Sequence, residues 1–259
     1  MLKKAALPVW SLVGPFVIMA AGWEIIALFI DPQFFPPLHR VVGRILHAFM
    51  GDPGWSHTIA TVRKMFLAFG IGTVLGIIAG LVIGWFRLAD AFFSPLISFT
   101  YALPRVALIP LFILWLGIGE TTIVFAASIA VFYIVLINTI VGVKNTDRLL
   151  IRAAKNLGAN GWQTLMRVLL PSSAVIIFSA VRLGIGQALI SVVSGEILIG
   201  NAGLGYWIWS ARYNLDTPLV FVILILLGVL GYAVTHGAEA LERRLLVWQV
   251  SAKESGYET

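Results

Sequence analysis

D-R-L-L-I-R-A-A-K-N-L-G-A-N-G-W-Q-T-L-M-R-V-L-L-P, from Asp147 to Pro171, is the longest charged and interrupted stretch in a chain otherwise built of apolar runs. Leu150, Ala153, Ala154 and Leu157 fall at i, i+3, i+4 and i+7, one apolar stripe of a short helix, while Arg148, Arg152 and Lys155 take its other faces. Gly158 stands where that helix should stop, because glycine accepts the left-handed conformation that follows a last turn. A second stripe, Trp162, Leu165, Met166 and Leu169, begins after Asn160, and Pro171 is expected to end it and open the next helix. The pattern predicts helix, break and second helix between two hydrophobic spans. It fits either an amphipathic connector lying on lipid or a docking element for a cytoplasmic partner.

Composition makes those flanking spans membrane spans. Of 259 residues, 59% are hydrophobic and 12% charged, far from the usual globular mix. The mean hydropathy is +0.96. The net charge of +6 is spread along the chain, so it reads as a topology signal and not as a nucleic-acid surface. There are no cysteines, which excludes disulfides, thiolate chemistry and cysteine metal sites. The four histidines, His39, His47, His57 and His236, match no metal-ligand spacing.

Working outward, the N-terminal apolar run Ala5–Ile30 is too long for a signal peptide and lacks a cleavage signal, so it is expected to be the first span. D-P-Q-F-F-P-P then forms a stiff turn, and Val41–Met50 an amphipathic helix. The second span, Phe66–Phe86, carries Gly72, Gly76, Gly80 and Gly84 on one face, where a neighbouring backbone can approach closely. R-L-A-D at 87–90 reads as a turn. The third span, Phe92–Leu116, holds Pro95, Pro104, Pro110 and Arg105. A broken helix with an ionisable residue inside the membrane is the texture of a transport pathway. The fourth span is Thr121–Val143, the fifth Ser173–Gly200, and the sixth Pro218–His236. In the fifth, Arg182 and Glu196 are separated by about 21 Å of helix, so they cannot pair with each other. Both join Arg105 as candidates for the substrate pathway or its gate. The glycine-rich, aromatic N-A-G-L-G-Y-W-I-W loop suits the headgroup level.

Six spans place both termini on one side. With that side cytoplasmic, Lys3, Lys4, Arg87, Lys144, Arg148, Arg152, Lys155, Arg167, Arg243, Arg244 and Lys253 lie inside, and they outweigh Arg40, Arg44, Arg63, Lys64 and Arg212 outside. The expected organisation is an N-terminal span with an external amphipathic segment (1–64), a five-helix core with the segment 147–171 inside it (65–236), and a cytoplasmic tail (237–259).

R-A-A-K-N-L-G followed by L-P at 170–171 resembles the "EAA" signature of the inner-membrane permeases of ABC importers. Ala153, Ala154, Gly158, Val168, Leu170 and Pro171 match it, and Arg152 stands where that family usually has Glu. A-L-P-R-V-A-L-I-P-L-F-I-L-W-L-G-I-G-E at 102–120, V-R-L-G-I-G-Q-A-L-I-S-V-V-S-G-E-I-L at 181–198 and N-A-G-L-G-Y at 201–206 resemble the branch that imports nitrate, taurine and alkanesulfonates. The resemblance implies an all-α type I importer fold with six transmembrane helices in the inner membrane and a cytoplasmic coupling helix between the fourth and fifth. It implies a second permease copy, two cytoplasmic ATPases that use ATP and magnesium, a periplasmic or lipid-tethered binding protein, and no cofactor on this chain. It gives Leu150, Arg152, Ala153, Ala154, Leu157 and Gly158 the ATPase contacts, and Leu170–Pro171 the entry into the fifth span.

Other functions fit less well. No G-x-x-x-x-G-K-[S/T] loop is present, so any ATPase is a separate polypeptide. A membrane enzyme would need a base near Ser191 or Ser194, and no histidine lies in the membrane interior. A secondary transporter would show repeated spans. The expected solute is a small anion, a sulfonate, nitrate or organic acid, with an uncharged thiamine-precursor pyrimidine as the alternative.

Overall fold

The computed structural model describes residues 9–50 and 53–245, with side chains from residue 14 onward except that of Arg105. Every element among them is helical: α1 Val9–Phe29, α2 Leu38–Met50, α3 Gly54–Trp85, α4 Arg87–Tyr101, a 3-10 turn Arg105–Leu108, α5 Ile109–Leu116, α6 Glu120–Lys144, α7 Arg148–Asn156, α8 Gly161–Thr164, α9 Leu170–Ile199, α10 Leu204–Tyr213 and α11 Thr217–Leu245. Four helices are long and apolar enough to cross a membrane: α3, the continuous run Gly161–Ile199, α6 and α11. The pair α4 and α5, bent by more than 40° at its break, supplies a fifth crossing if counted as one broken span. The first expected span is a shorter apolar helix over Gly14–Phe29, and residues 1–8 lie outside the described residues.

The core is the α3–α6–α9 packing, and glycine sets its spacing. A Cβ on Gly72 would lie 2.5 Å from the Ser128 carbonyl oxygen, one on Gly76 2.9 Å from that of Phe132, and one on Gly80 2.5 Å from Thr139 Cβ. Gly84 meets Val143 in the same way. Lipid tails are as apolar as leucine, so helices in a bilayer associate through close van der Waals fit, which small residues permit. Continuous with this seam, Met65, Val131, Val135, Ala188 and Leu189 fill the space between the three helices.

A second cluster, Val41, Ala48, Leu204, Trp207, Leu219 and Ile223, joins α2, α10 and α11. The amphipathic pattern of α2 explains it: Val41, Ile45 and Ala48 turn inward while Leu46, His47 and Met50 remain exposed. Arg44 pairs with Asp216 at 2.9 Å, and the rings of Trp23, Phe35 and Phe221 pack together, attaching α1.

Three boundaries differ from the expectation. First, α3 starts at Gly54, so 54–64, read as external segment, are its opening turns; among their polar residues His57, Thr61 and Lys64 bond to groups on the 196–204 stretch. Second, Arg87–Asp90 is the first turn of α4 and not a loop. Only Phe86 is extended (φ −96°, ψ 115°), and Asp90 suits the positive end of the helix dipole, bonded to Lys144 at 2.6 Å and Ser94 at 2.7 Å. Third, Pro171 does not end the helix before it. A π turn over Leu165–Leu169, with the Leu170 N–H bonded to the Leu165 carbonyl, widens the ladder just before Pro171, whose missing N–H and ring the ordinary α register would not accommodate. The chain therefore runs unbroken from Gly161 to Ile199. In the C-terminal segment, α11 continues helical to Leu245, and 246–259 lie outside the described residues.

Candidate coupling surface and translocation cavity

The stretch 147–171 folds as a short helix and an elbow. Asp147 caps α7, its carboxylate accepting from the Leu149 N–H at 2.8 Å. At the other end the Ala159 N–H bonds the Ala154 carbonyl and the Gly158 N–H bonds that of Lys155, both at 3.0 Å, with Gly158 at φ +83°. That is a Schellman ending. Two residues later Asn160 and Gln163 bond each other's backbone N–H groups in a capping box that starts α8. Two helix ends satisfied back to back leave the elbow little freedom.

No residue of α7 is buried. Leu150, Ala153 and Leu157 are exposed, Leu157 at 89%, and Ala154 is half-buried. Among the described residues, Arg148, Arg152 and Lys155 have no carboxylate in ion-pair contact. The face therefore offers an uncovered apolar stripe flanked by unsatisfied cations. Leu170 and Pro171 open α9 at the end of the π turn.

A cavity of about 400 Å³ lies between the broken pair α4–α5, α6 and α9. Tyr101, Leu103, Pro104, Val106 and Ile109 form its wall from the broken span, Ala126 and Ala130 its floor from α6, and Gln187, Ile190, Ser191 and Ser194 its α9 side. Non-helical backbone is tolerated at membrane depth where it lines such a space. Arg105 opens the 3-10 turn within this wall.

Arg182 and Glu196 are not among the lining residues. Arg182 faces α11, with a guanidinium nitrogen 3.4 Å from Glu242 Oε2, an ion pair without a close hydrogen bond. Glu196 is 0% exposed at its side chain and is held by Lys64, 2% exposed, at 2.7 Å. Thr61 donates to both carboxylate oxygens, the Gly205 N–H to one, and Lys64 also reaches the Ala202 carbonyl at 2.6 Å. The loop 200–205 wraps this carboxylate so closely that a Cβ on Gly203 (φ +115°) would meet Glu196 Oε1 at 2.0 Å, and one on Gly205 would meet the Val193 carbonyl at 2.4 Å. The N-A-G-L-G-Y motif is thus a clamp around Glu196. The sequence pointed to Glu196 but not to Lys64, which was counted with an external basic cluster. Its signal was a lysine followed directly by an apolar run. Three members of that cluster are paired within the chain: Arg44 with Asp216, Arg63 with Glu120 and Lys64 with Glu196.

Residues 72–247 match the family of binding-protein-dependent transport system inner membrane components. The chain belongs to this family. Relatives include a putative ABC transporter permease of Methanocaldococcus jannaschii, 32% identical over 89% of each chain. The taurine transport system permease TauC of Escherichia coli is 30% identical over 90% of this chain and 86% of its own. The riboflavin transport system permease RibX of Chloroflexus aurantiacus is 33% identical over 96% and 94%. In fold, the chain resembles the inward-facing MetNI methionine ABC transporter, with a TM-score of 0.65 at 19% identity over 73% of this chain and 94% of that one. The permease is accordingly a multi-pass inner-membrane subunit of an ABC importer, non-enzymatic itself, with ATP hydrolysed by a separate subunit.

Proposed function

We propose that Asp147–Pro171 is the coupling segment through which two cytoplasmic ATPases drive this permease, and that the cavity beside the broken span is its translocation pathway. The carrying observation is the α7 face, with Leu150, Ala153 and Leu157 exposed, Ala154 half-buried between them, and Arg148, Arg152 and Lys155 unpaired among the described residues, set at a fixed angle by the Gly158–Asn160 elbow. Arg152 replaces the usual carboxylate of the signature, so its complement on the ATPase is an acidic residue. In this reading α1 completes six spans, both termini are cytoplasmic, two copies form a homodimer, and a periplasmic or lipid-tethered protein delivers the solute. That solute is a small organic anion of the sulfonate type, by kinship with the taurine permease. The riboflavin relative and the neutral described lining of the cavity favour an uncharged solute as the second reading.

Gly158 tests the coupling role. No atom lies within 4 Å of a Cβ built there, so a substitution acts through the backbone and not through a clash. At φ +83° a β-branched residue costs roughly 1–2 kcal/mol or more, whereas asparagine visits that region readily. Gly158→Val is expected to abolish uptake and transport-linked ATP hydrolysis while the protein still reaches the membrane, and Gly158→Asn to keep much of both. Normal transport by the valine variant would remove the coupling assignment. Charge is probed separately: Arg152→Glu should weaken co-purification of the native ATPase, measured by pull-down of the tagged permease, and an unchanged yield would argue against an acidic complement.

A further inference from the structure

The cavity carries a feature that the coupling argument does not use. Gln187, Ser191 and Ser194 stand at i, i+4 and i+7 on α9, a polar stripe about 10 Å long facing an otherwise apolar lining. Opposite them Ala126 and Ala130 leave room, and Tyr101 stands at the broken span. Gln187 donates from Nε2 to Ser191 Oγ at 3.0 Å. That bond uses one carboxamide hydrogen and one hydroxyl lone pair. The Ser191 hydrogen and the Gln187 carbonyl oxygen are left to meet a guest. Ser194 donates to the Ile190 carbonyl at 2.8 Å, so it offers lone pairs only.

From this geometry we infer that Gln187 and Ser191 form a transit subsite for a small solute that carries both a hydrogen-bond donor and an acceptor group, as an aminosulfonate does with its ammonium and sulfonate. Ser191 donates to the acceptor and the Gln187 carbonyl receives the donor. Ser194 accepts one turn beyond Ser191, so the donor group of the solute passes from the Gln187 carbonyl to a second acceptor. The grip is neutral on both sides. A pathway must hold its cargo strongly enough to admit it and weakly enough to release it, and hydroxyl and carboxamide groups do this where a fixed opposite charge would retain an ion. The inference rests on the permease reading and adds to it which residues touch the solute and what chemistry they select.

The absence of cysteine gives a clean background for the test. Ser191→Cys and Ser194→Cys each place one thiol in the stripe with little change of shape, and Ala180→Cys places one at a fully buried position on the same helix. The complete complex, with its own ATPase and binding protein, is reconstituted in proteoliposomes and treated with a water-soluble methanethiosulfonate bearing a sulfonate group. Labelling is expected at 191 and 194 and not at 180, with taurine uptake reduced at least tenfold by modification at 191. Gln187→Leu is expected to lower taurine uptake about tenfold, the factor associated with one lost hydrogen bond. Inaccessible thiols at 191 and 194, or uptake unchanged both by modification at 191 and by Gln187→Leu, would overturn the subsite. A wild-type complex that hydrolyses ATP but moves no taurine would overturn the sulfonate reading instead, and the labelling pattern would still decide the subsite.

Discussion

Glu196→Leu is expected to be among the most damaging single substitutions in the chain, destabilising the fold by about 3–5 kcal/mol, the usual cost of removing one member of a buried ion pair. The loss leaves the Lys64 ammonium, 2% exposed, with only the Ala202 carbonyl beside it. It also strips the Gly205 N–H and the Thr61 hydroxyl of their acceptor, so the loop 200–205 loses its anchor. Lys64→Met should be comparably harmful, because it strands a carboxylate that is wholly enclosed. The double variant Lys64→Met/Glu196→Leu should recover much of the loss, since an apolar pair of similar volume avoids the cost of desolvating two charges. Thermal unfolding of the detergent-purified protein measures all three. If the double variant proved as unstable as the sum of the singles, the two side chains would not be acting as a pair.

The second large effect is expected on the α3–α6 seam. Gly72→Leu introduces a Cβ 2.5 Å from the Ser128 carbonyl oxygen, and that oxygen belongs to a helix backbone that cannot step aside. The two helices must separate, with a cost of at least about 1–3 kcal/mol for overpacking, more because the lost contacts run along the whole glycine face. Gly70→Leu, two residues earlier on the same helix, meets nothing within 4 Å and should be neutral or slightly stabilising, because leucine favours a helix over glycine. The fraction of monodisperse protein extracted from membranes separates the two. Equal yields would mean the glycine face does not set the helix spacing.

Both predictions rest on features of unequal legibility in the sequence. The glycine face could be read directly, since a four-residue repeat fixes which positions share a side of a helix whatever packs there. The ends of α7 could be read for the same reason: caps and the residue after a last turn are local chemistry, and Asp147, Gly158 and Asn160 each carry theirs within a few residues. Helix continuity was harder. Trp55, Ser56, His57 and Thr58 look like a loop because they are polar or bulky, yet they belong to α3, where neighbouring helices cover part of them. Pro171 looked like a stop because nothing in a sequence announces a π turn.

Pairings across the fold were not legible at all. Glu196 and Lys64 are 132 positions apart. Their meeting requires knowing that α3 and α9 are neighbours and which turns lie level. The same holds for Arg182 and Glu242, where the sequence showed only that Arg182 needed some partner. Without that knowledge an isolated charge inside a span points toward a pathway. The residues that do line the cavity, Gln187 and the two serines, do not stand out as pathway residues: the serines suggest only an unsupported nucleophile, because uncharged polar residues are unremarkable in a membrane helix.

The unbroken run Gly161–Ile199 places three separate things on one rod about 58 Å long. The elbow to α7 is at its foot, the cavity stripe lies past its middle, and the carboxylate clamp is near its head. If the foot is pushed by a docked partner, a stiff rod clamped at the head does not translate; it pivots. The stripe then swings sideways across the cavity mouth, by an amount set by its distance from the clamp. The π turn lies below the stripe, between it and the foot, where one widened turn already departs from the α ladder.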